Sequence, residues 1–144
     1  MAVTYIDTFI TVSDDCELRT GVIPPERGGK KTAAGIQYDL LADHPYVYTM
    51  EDVLFRTHVE LNQLHDEEEE SLRDVFFSTP KACLRTSTLV KRYGWGLHFD
   101  HEGKVALYGA ESEEYRTLRE SPHLHVVKGM RSKRLGGGVD GKQP

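Results

Sequence analysis

The chain has 144 residues, 38% of them apolar and 28% charged, with a formal net charge of −5 and two cysteines. That length holds one ordinary core and excludes a typical two-domain enzyme. No apolar run approaches a membrane span, no signal-peptide pattern opens the chain, and Cys16 and Cys83 cannot build a disulfide framework, so a reduced, cytoplasmic protein is expected.

Residues 3–12 are rich in β-branched and aromatic side chains. Ile6, Ile10 and Val12 fall on one parity, and Val3, Tyr5 and Phe9 on the other. A strand covered on both sides follows. Asp14-Asp15 ends it, and Pro24-Pro25 forces an extended connection. Thr32 is the expected N-cap of a helix over 33–42 that buries Ala33, Ile36, Leu40 and Leu41. His44-Pro45 stops it. Thr49 with Asp52 approximates a capping box for a helix over 50–61, with Met50, Val53, Leu54 and Leu61 inward. Asp66 is the expected cap of a third helix. Its acidic first turn, Glu67–Glu70, suits the macrodipole, and Leu72, Val75 and Phe76 are its apolar face. Thr79-Pro80 ends that helix.

The clearest β signal is a hairpin from Tyr93 to Tyr108. Tyr93, Trp95, Leu97 and Phe99 alternate with Gly94, Gly96, His98 and Asp100, which puts the large apolar set on the core. Residues 100–103, ending in Gly103, form the turn. A short helix over 113–120 carries Tyr115 and Leu118, and His123–Val127 adds a last strand. Strands and helices do not alternate regularly. The expected class is therefore α+β: one domain over 1–130, with a small antiparallel or mixed sheet packed by three to four helices. Residues 131–144 hold three consecutive glycines and almost no apolar side chain, which predicts a disordered basic tail. Five cations against one carboxylate after residue 125 make +4, leaving −9 for residues 1–125.

Three segments carry candidate chemistry. Arg27–Thr32 is a basic, glycine-bearing loop entering a helix, where free amides favour an anion. It is not a P-loop, because Pro24 stands where a glycine is needed and Lys31 separates Lys30 from Thr32. The second segment, residues 83–96, offers Arg85, Lys91 and Arg92 as cations and Ser87 as a hydroxyl, and Tyr93 and Trp95 would wall a pocket for ligand stacking if the hairpin strand's faces were the reverse of that assignment. Its hydroxyls also suit the cap of a short helix. Cys83 lacks the arginine six positions on that a cysteine phosphatase loop requires, so a structural thiol is the simpler reading. The third is the even face of the hairpin. There Gly94 and Gly96 leave a trough beside His98 and Asp100, open either to an acid–base pair or to a helix packed over the glycines. Histidine pairs at i and i+2 do not make a zinc site, so neither metal nor cofactor is expected.

Gly29–Thr32, Gln37–Leu41, Pro45–Thr49, Asp52–Phe55, Cys83–Arg85, Lys91–Gly96 and Gly103–Tyr108 occur in this order along the chain. Together they resemble a family of small uncharacterised bacterial proteins, a domain of unknown function, over most of residues 4–134. The resemblance implies a bacterial, cytoplasmic, single-domain protein and transfers no activity or catalytic residue. From the residues themselves, the leading expectation is a binding module for a phosphate-bearing small molecule held by Lys30, Lys31, Thr32, Arg85, Ser87, Lys91 and Arg92. The alternatives are a small hydrolase using His98 with Asp100 or Cys83, and a protein-interaction module with a basic tail and an acidic third helix. The −9 body disfavours specific nucleic-acid binding.

Overall fold

Strand β1, Thr8–Thr11, is buried at every position. It lies inside a four-stranded sheet of order β3-β2-β1-β4, with β2 at Trp95–Phe99, β3 at Val105–Gly109 and β4 at His125–Lys128. The structure, a computed structural model, describes residues 5–132. β1, β2 and β3 pair antiparallel, and β4 adds to β1 in parallel. The helices are α1 (Ala33–Asp43), α2 (Met50–Asn62), α3 (Glu69–Phe76), α4 (Thr88–Lys91) and α5 (Glu113–Arg119), with a 3₁₀ turn at Leu84–Thr86. This is a single α+β fold with a mixed sheet. Among the described residues no helix is long and apolar enough to cross a membrane.

The register decides which side chains share a face. Thr8 pairs with Phe99, Phe9 with His98 and Ile10 with Leu97. Directly opposed residues point the same way. One face therefore carries Ile10, Leu97 and Phe99, which join Leu41 of α1, Met50 and Val53 of α2, and Val90 of α4 in the main core. The other face carries Phe9, His98 and Gly96. There the Phe9 and Tyr115 rings meet edge to face, with centroids 5.1 Å apart, and a Cβ on Gly96 would lie 2.6 Å from one ring and 2.7 Å from the other. The glycine trough is thus filled at Gly96 by the Phe9 and Tyr115 rings and at Gly94 by the Thr20 backbone.

Local signals account for the helix ends. Thr32 accepts from the Gly35 amide. Thr49 and Asp52 form a reciprocal capping box, with bonds of 3.1 and 3.2 Å. Ser87 caps α4 through Leu89 N–H, and Ser112 caps α5. α1 is followed by His44 as its C-cap.

Several details depart from the sequence reading. Tyr5 and Phe9 do not share a face: Tyr5 packs on Phe99, while Phe9 packs on Tyr115. Asp7 between them is left-handed, φ 46°, which breaks the alternation. The strand accordingly begins at Thr8, and Ile6 is exposed. Ala33 is exposed, and Ala34 and Gln37 are buried in its stead. Leu61 is exposed, while Phe55 and Thr57 are buried along with the expected Met50 and Val53. α3 starts after Glu68 rather than at Asp66, ends at Phe76 before Thr79-Pro80, and leaves Val75 71% exposed. It is held by Arg73, which pairs with Asp52 and sits over the Phe55 and Phe77 rings, not by a continuous apolar stripe. Arg131 and Ser132, inside the expected tail, contact Asp14 and Asp15. The rest of that tail, 133–144, lies outside the described residues, as do Val3 and Thr4.

Candidate functional site

The seven expected anion-binding residues separate. Gly28 and Gly29, at φ 59° and 77°, make a two-residue reversal in which Arg27 and Lys30 exchange backbone hydrogen bonds. This is the geometry of a primed hairpin turn. It leaves Lys30 exposed at a tip. Lys31 pairs with Asp39, and Thr32 is occupied as the α1 cap. Arg85 donates its Nε–H to the Lys128 carbonyl at 2.7 Å, which anchors the end of β4. Ser87 is buried and donates to Gln37 Oε1 at 2.7 Å, tying α4 to α1.

Lys91 and Arg92 have a different setting. They follow one another at the C-terminal end of α4, where cations complement the helix dipole. Both line a cavity of about 540 Å³ completed by Asp15, Glu17, Leu18 and Ser132. Lys30, Lys31 and Thr32 are not on its wall. That volume lies within the range of small-molecule sites. Two cations and two carboxylates face one space, and the Asp15 carboxylate also accepts the Ser132 amide at 3.1 Å. Asp15 and Glu17 belong to the loop after β1, which sequence spacing separates from Lys91 by more than seventy positions.

Of the two expected stacking residues, Trp95 is engaged elsewhere. Trp95 donates Nε1–H to the Val22 carbonyl at 2.9 Å, and its ring lies between Gly21 and Tyr38. Leu97 and Phe99 are fully buried, so the hairpin keeps the face assignment read from its alternation. The Tyr93 carbonyl accepts from Val22 N–H, which ties the proline-rich connection to the start of β2.

The expected catalytic group also separates. His98 Nδ1 is 2.7 Å from the Tyr46 hydroxyl, which is 2.8 Å from the Tyr108 hydroxyl. The proton order that satisfies all three runs from Tyr108 through Tyr46 to an accepting Nδ1, assigned from the network. Burial pushes the His98 imidazole below its ordinary value, against the pull of Asp100 and Asp7. Burial and the Tyr108 hydrogen bond push the Tyr46 hydroxyl up. Both shifts favour a neutral imidazole beside a protonated Tyr46. Asp100 does not orient His98: its carboxylate accepts the Glu102 and Lys104 amides at 2.9 Å. Burial raises Asp100, and those two amides bring it below its usual range. Cys83 lies on the other side of the sheet, against the main core, where its sulfur is 3.4 Å from the Tyr5 hydroxyl. Burial and that contact push Tyr5 up to about 12. Cys83 and His98 thus cannot act on one substrate atom.

Tyr46 and Tyr108 are the cluster members that sequence reasoning missed, and Tyr46 is the one brought in from outside the sheet. Tyr46 sits in the turn after α1 at φ 60°, its amide bonded to the Val105 carbonyl, so the loop carries its ring around the β3 edge to His98. Its only local signal is the preceding Pro45. Among the described residues no three His, Cys, Asp or Glu side chains are grouped to hold a metal ion.

A profile described as a family of unknown function (DUF6157) matches residues 1–135, and the chain belongs to that family. No curated protein and no solved structure matches it.

Proposed function

We propose that this protein is a binding module for a small phosphate-bearing molecule that also carries a positive charge. The observation supporting this reading is the pairing of Lys91 and Arg92 with Asp15 and Glu17 around one cavity. An arginine fork and a lysine ammonium suit a phosphate, the first through bidentate hydrogen bonds and the second as a point charge. A bare dianion would meet the repulsion of the two carboxylates. A ligand with an amine places its phosphate against Lys91 and Arg92 and its ammonium toward Glu17, so this lining favours a zwitterion over a bare dianion. A cytoplasmic location fits this reading, since Cys16 and Cys83 are both free thiols.

Titration calorimetry with phosphoethanolamine, inorganic phosphate and ethanolamine tests it. Phosphoethanolamine binds saturably and more tightly than either half, and Arg92→Gln weakens it about tenfold or more, as expected for a lost charge-assisted hydrogen bond of about 1.5–3 kcal/mol. Arg92 is exposed, so its substitution leaves the melting temperature nearly unchanged. Absence of saturable heat with phosphoethanolamine at millimolar concentration, or equal binding by Arg92→Gln, overturns the reading.

A further inference from the structure

A second cavity, of about 160 Å³, opens where α1, α2 and α3 meet. Its apolar wall is Leu40, Phe55, Val59, Leu64 and Leu72. It lies beside a loosely packed α3. Arg73 and Phe76 pack on Asp52, Phe55 and His58 of α2, whereas no residue of α3 is fully buried. The chain between the helices reverses at Gln63, a left-handed C-cap at φ 54°, with Leu64 N–H bonded back to the Val59 carbonyl. That closure brings Leu64 beneath the gap and leaves the space above it unfilled.

The mouth is polar and unbalanced. Glu60, Glu67 and Glu69 line it with one permanent cation, Arg56. The Arg56 guanidinium is 5.0 Å from the Tyr48 ring centroid, a cation–π position. His65 Nε2 is 3.5 Å from the Glu60 carboxylate. A space of this size holds about one benzene ring, here with apolar side chains on one wall and polar ones on the other. The carboxylates on the polar wall add a preference for cations.

We propose that the α1–α2–α3 cavity binds a small primary amine carrying a single aromatic ring or a branched alkyl group. The apolar body fills the space between Phe55, Val59 and Leu72, and the ammonium remains at the mouth between Glu60, Glu67 and Glu69. This site is separate from the cavity lined by Lys91 and Arg92, with which it shares no lining residue.

Methyl-resolved NMR titration of the full chain tests this with three probes of one shape: benzylamine, benzyl alcohol and benzoate. Benzylamine shifts the Val59, Leu64 and Leu72 methyl signals saturably. It binds about tenfold more tightly than benzyl alcohol, and benzoate binds more weakly than either. The surface double substitution Glu67→Gln/Glu69→Gln erases most of the advantage over benzyl alcohol, by about threefold per carboxylate, the scale of an exposed ion pair. Leu64→Trp fills the cavity and abolishes binding of both. Benzyl alcohol or benzoate binding as tightly as benzylamine overturns the proposal. So does an unchanged benzylamine affinity in the folded double variant, or an absence of shifts at these methyls.

Discussion

Gly29 and Gly94 form a matched pair for testing how the proline-rich connection is locked to the sheet. Both are left-handed, at φ 77° and 78°. An alanine at either site incurs the left-handed backbone penalty, about 1–2 kcal/mol. Their surroundings differ. A Cβ on Gly29 meets nothing within 4 Å, whereas one on Gly94 overlaps the Thr20 carbonyl oxygen and lies 2.8 Å from its carbon. Thr20 cannot retreat freely. Gly21 N–H is bonded to Glu111 at 2.9 Å, Val22 N–H to the Tyr93 carbonyl at 2.9 Å, and Gly21 lies against the Trp95 ring. Overpacking against fixed backbone adds about 2–3 kcal/mol. Gly29→Ala should therefore lose about 1 kcal/mol and Gly94→Ala about 4 kcal/mol, or roughly 3 °C and 12 °C at the entropy of a domain this size. Urea denaturation of the two variants, with the slope checked against the parent, measures the difference. Equal losses would refute the close approach of Thr20 to the hairpin.

Gly96→Ala should cost about 2 kcal/mol, because its Cβ would be wedged between the Phe9 and Tyr115 rings; an unchanged denaturation midpoint would mean that the trough is open. His98 titrates below its unfolded value because burial disfavours the imidazolium. The unfolded chain then binds the extra proton first, so stability is level above about pH 6.5 and falls as pH drops through the folded value. His98→Asn should flatten that fall between pH 7.5 and 5, and a slope identical to the parent's in folded variant protein would sink the argument. Thr49→Ala removes the side-chain half of the α2 capping box and should cost about 1 kcal/mol by urea denaturation. Retention of full stability would deny the cap any energetic role.

What the sequence determined by itself is what a few neighbouring residues decide. The Thr49/Asp52 box, the Thr32 cap and the stop at His44-Pro45 each depend on side chains within about one helical turn of the backbone they serve. The β2–β3 hairpin was legible because period-two alternation is enforced by the strand itself. Its even-face glycines admitted two readings, and the choice came from Tyr115, on a helix that follows the hairpin. Tertiary structure alone decided the rest. It placed β1 inside the sheet, between the distant β2 and the still more distant β4, which lies parallel to it. One left-handed residue, Asp7, sent Tyr5 and Phe9 to opposite faces, and no periodicity encodes that. Another, Tyr46, carried a hydroxyl around the sheet edge to His98. The cations near Lys30 and near Lys91 looked equivalent as charges in a list. Folding made the first a solvated hairpin tip and the second part of a cavity wall with Asp15 and Glu17. Charge is a property of a residue, but a site is a convergence of distant residues, and packing chooses which of them meet.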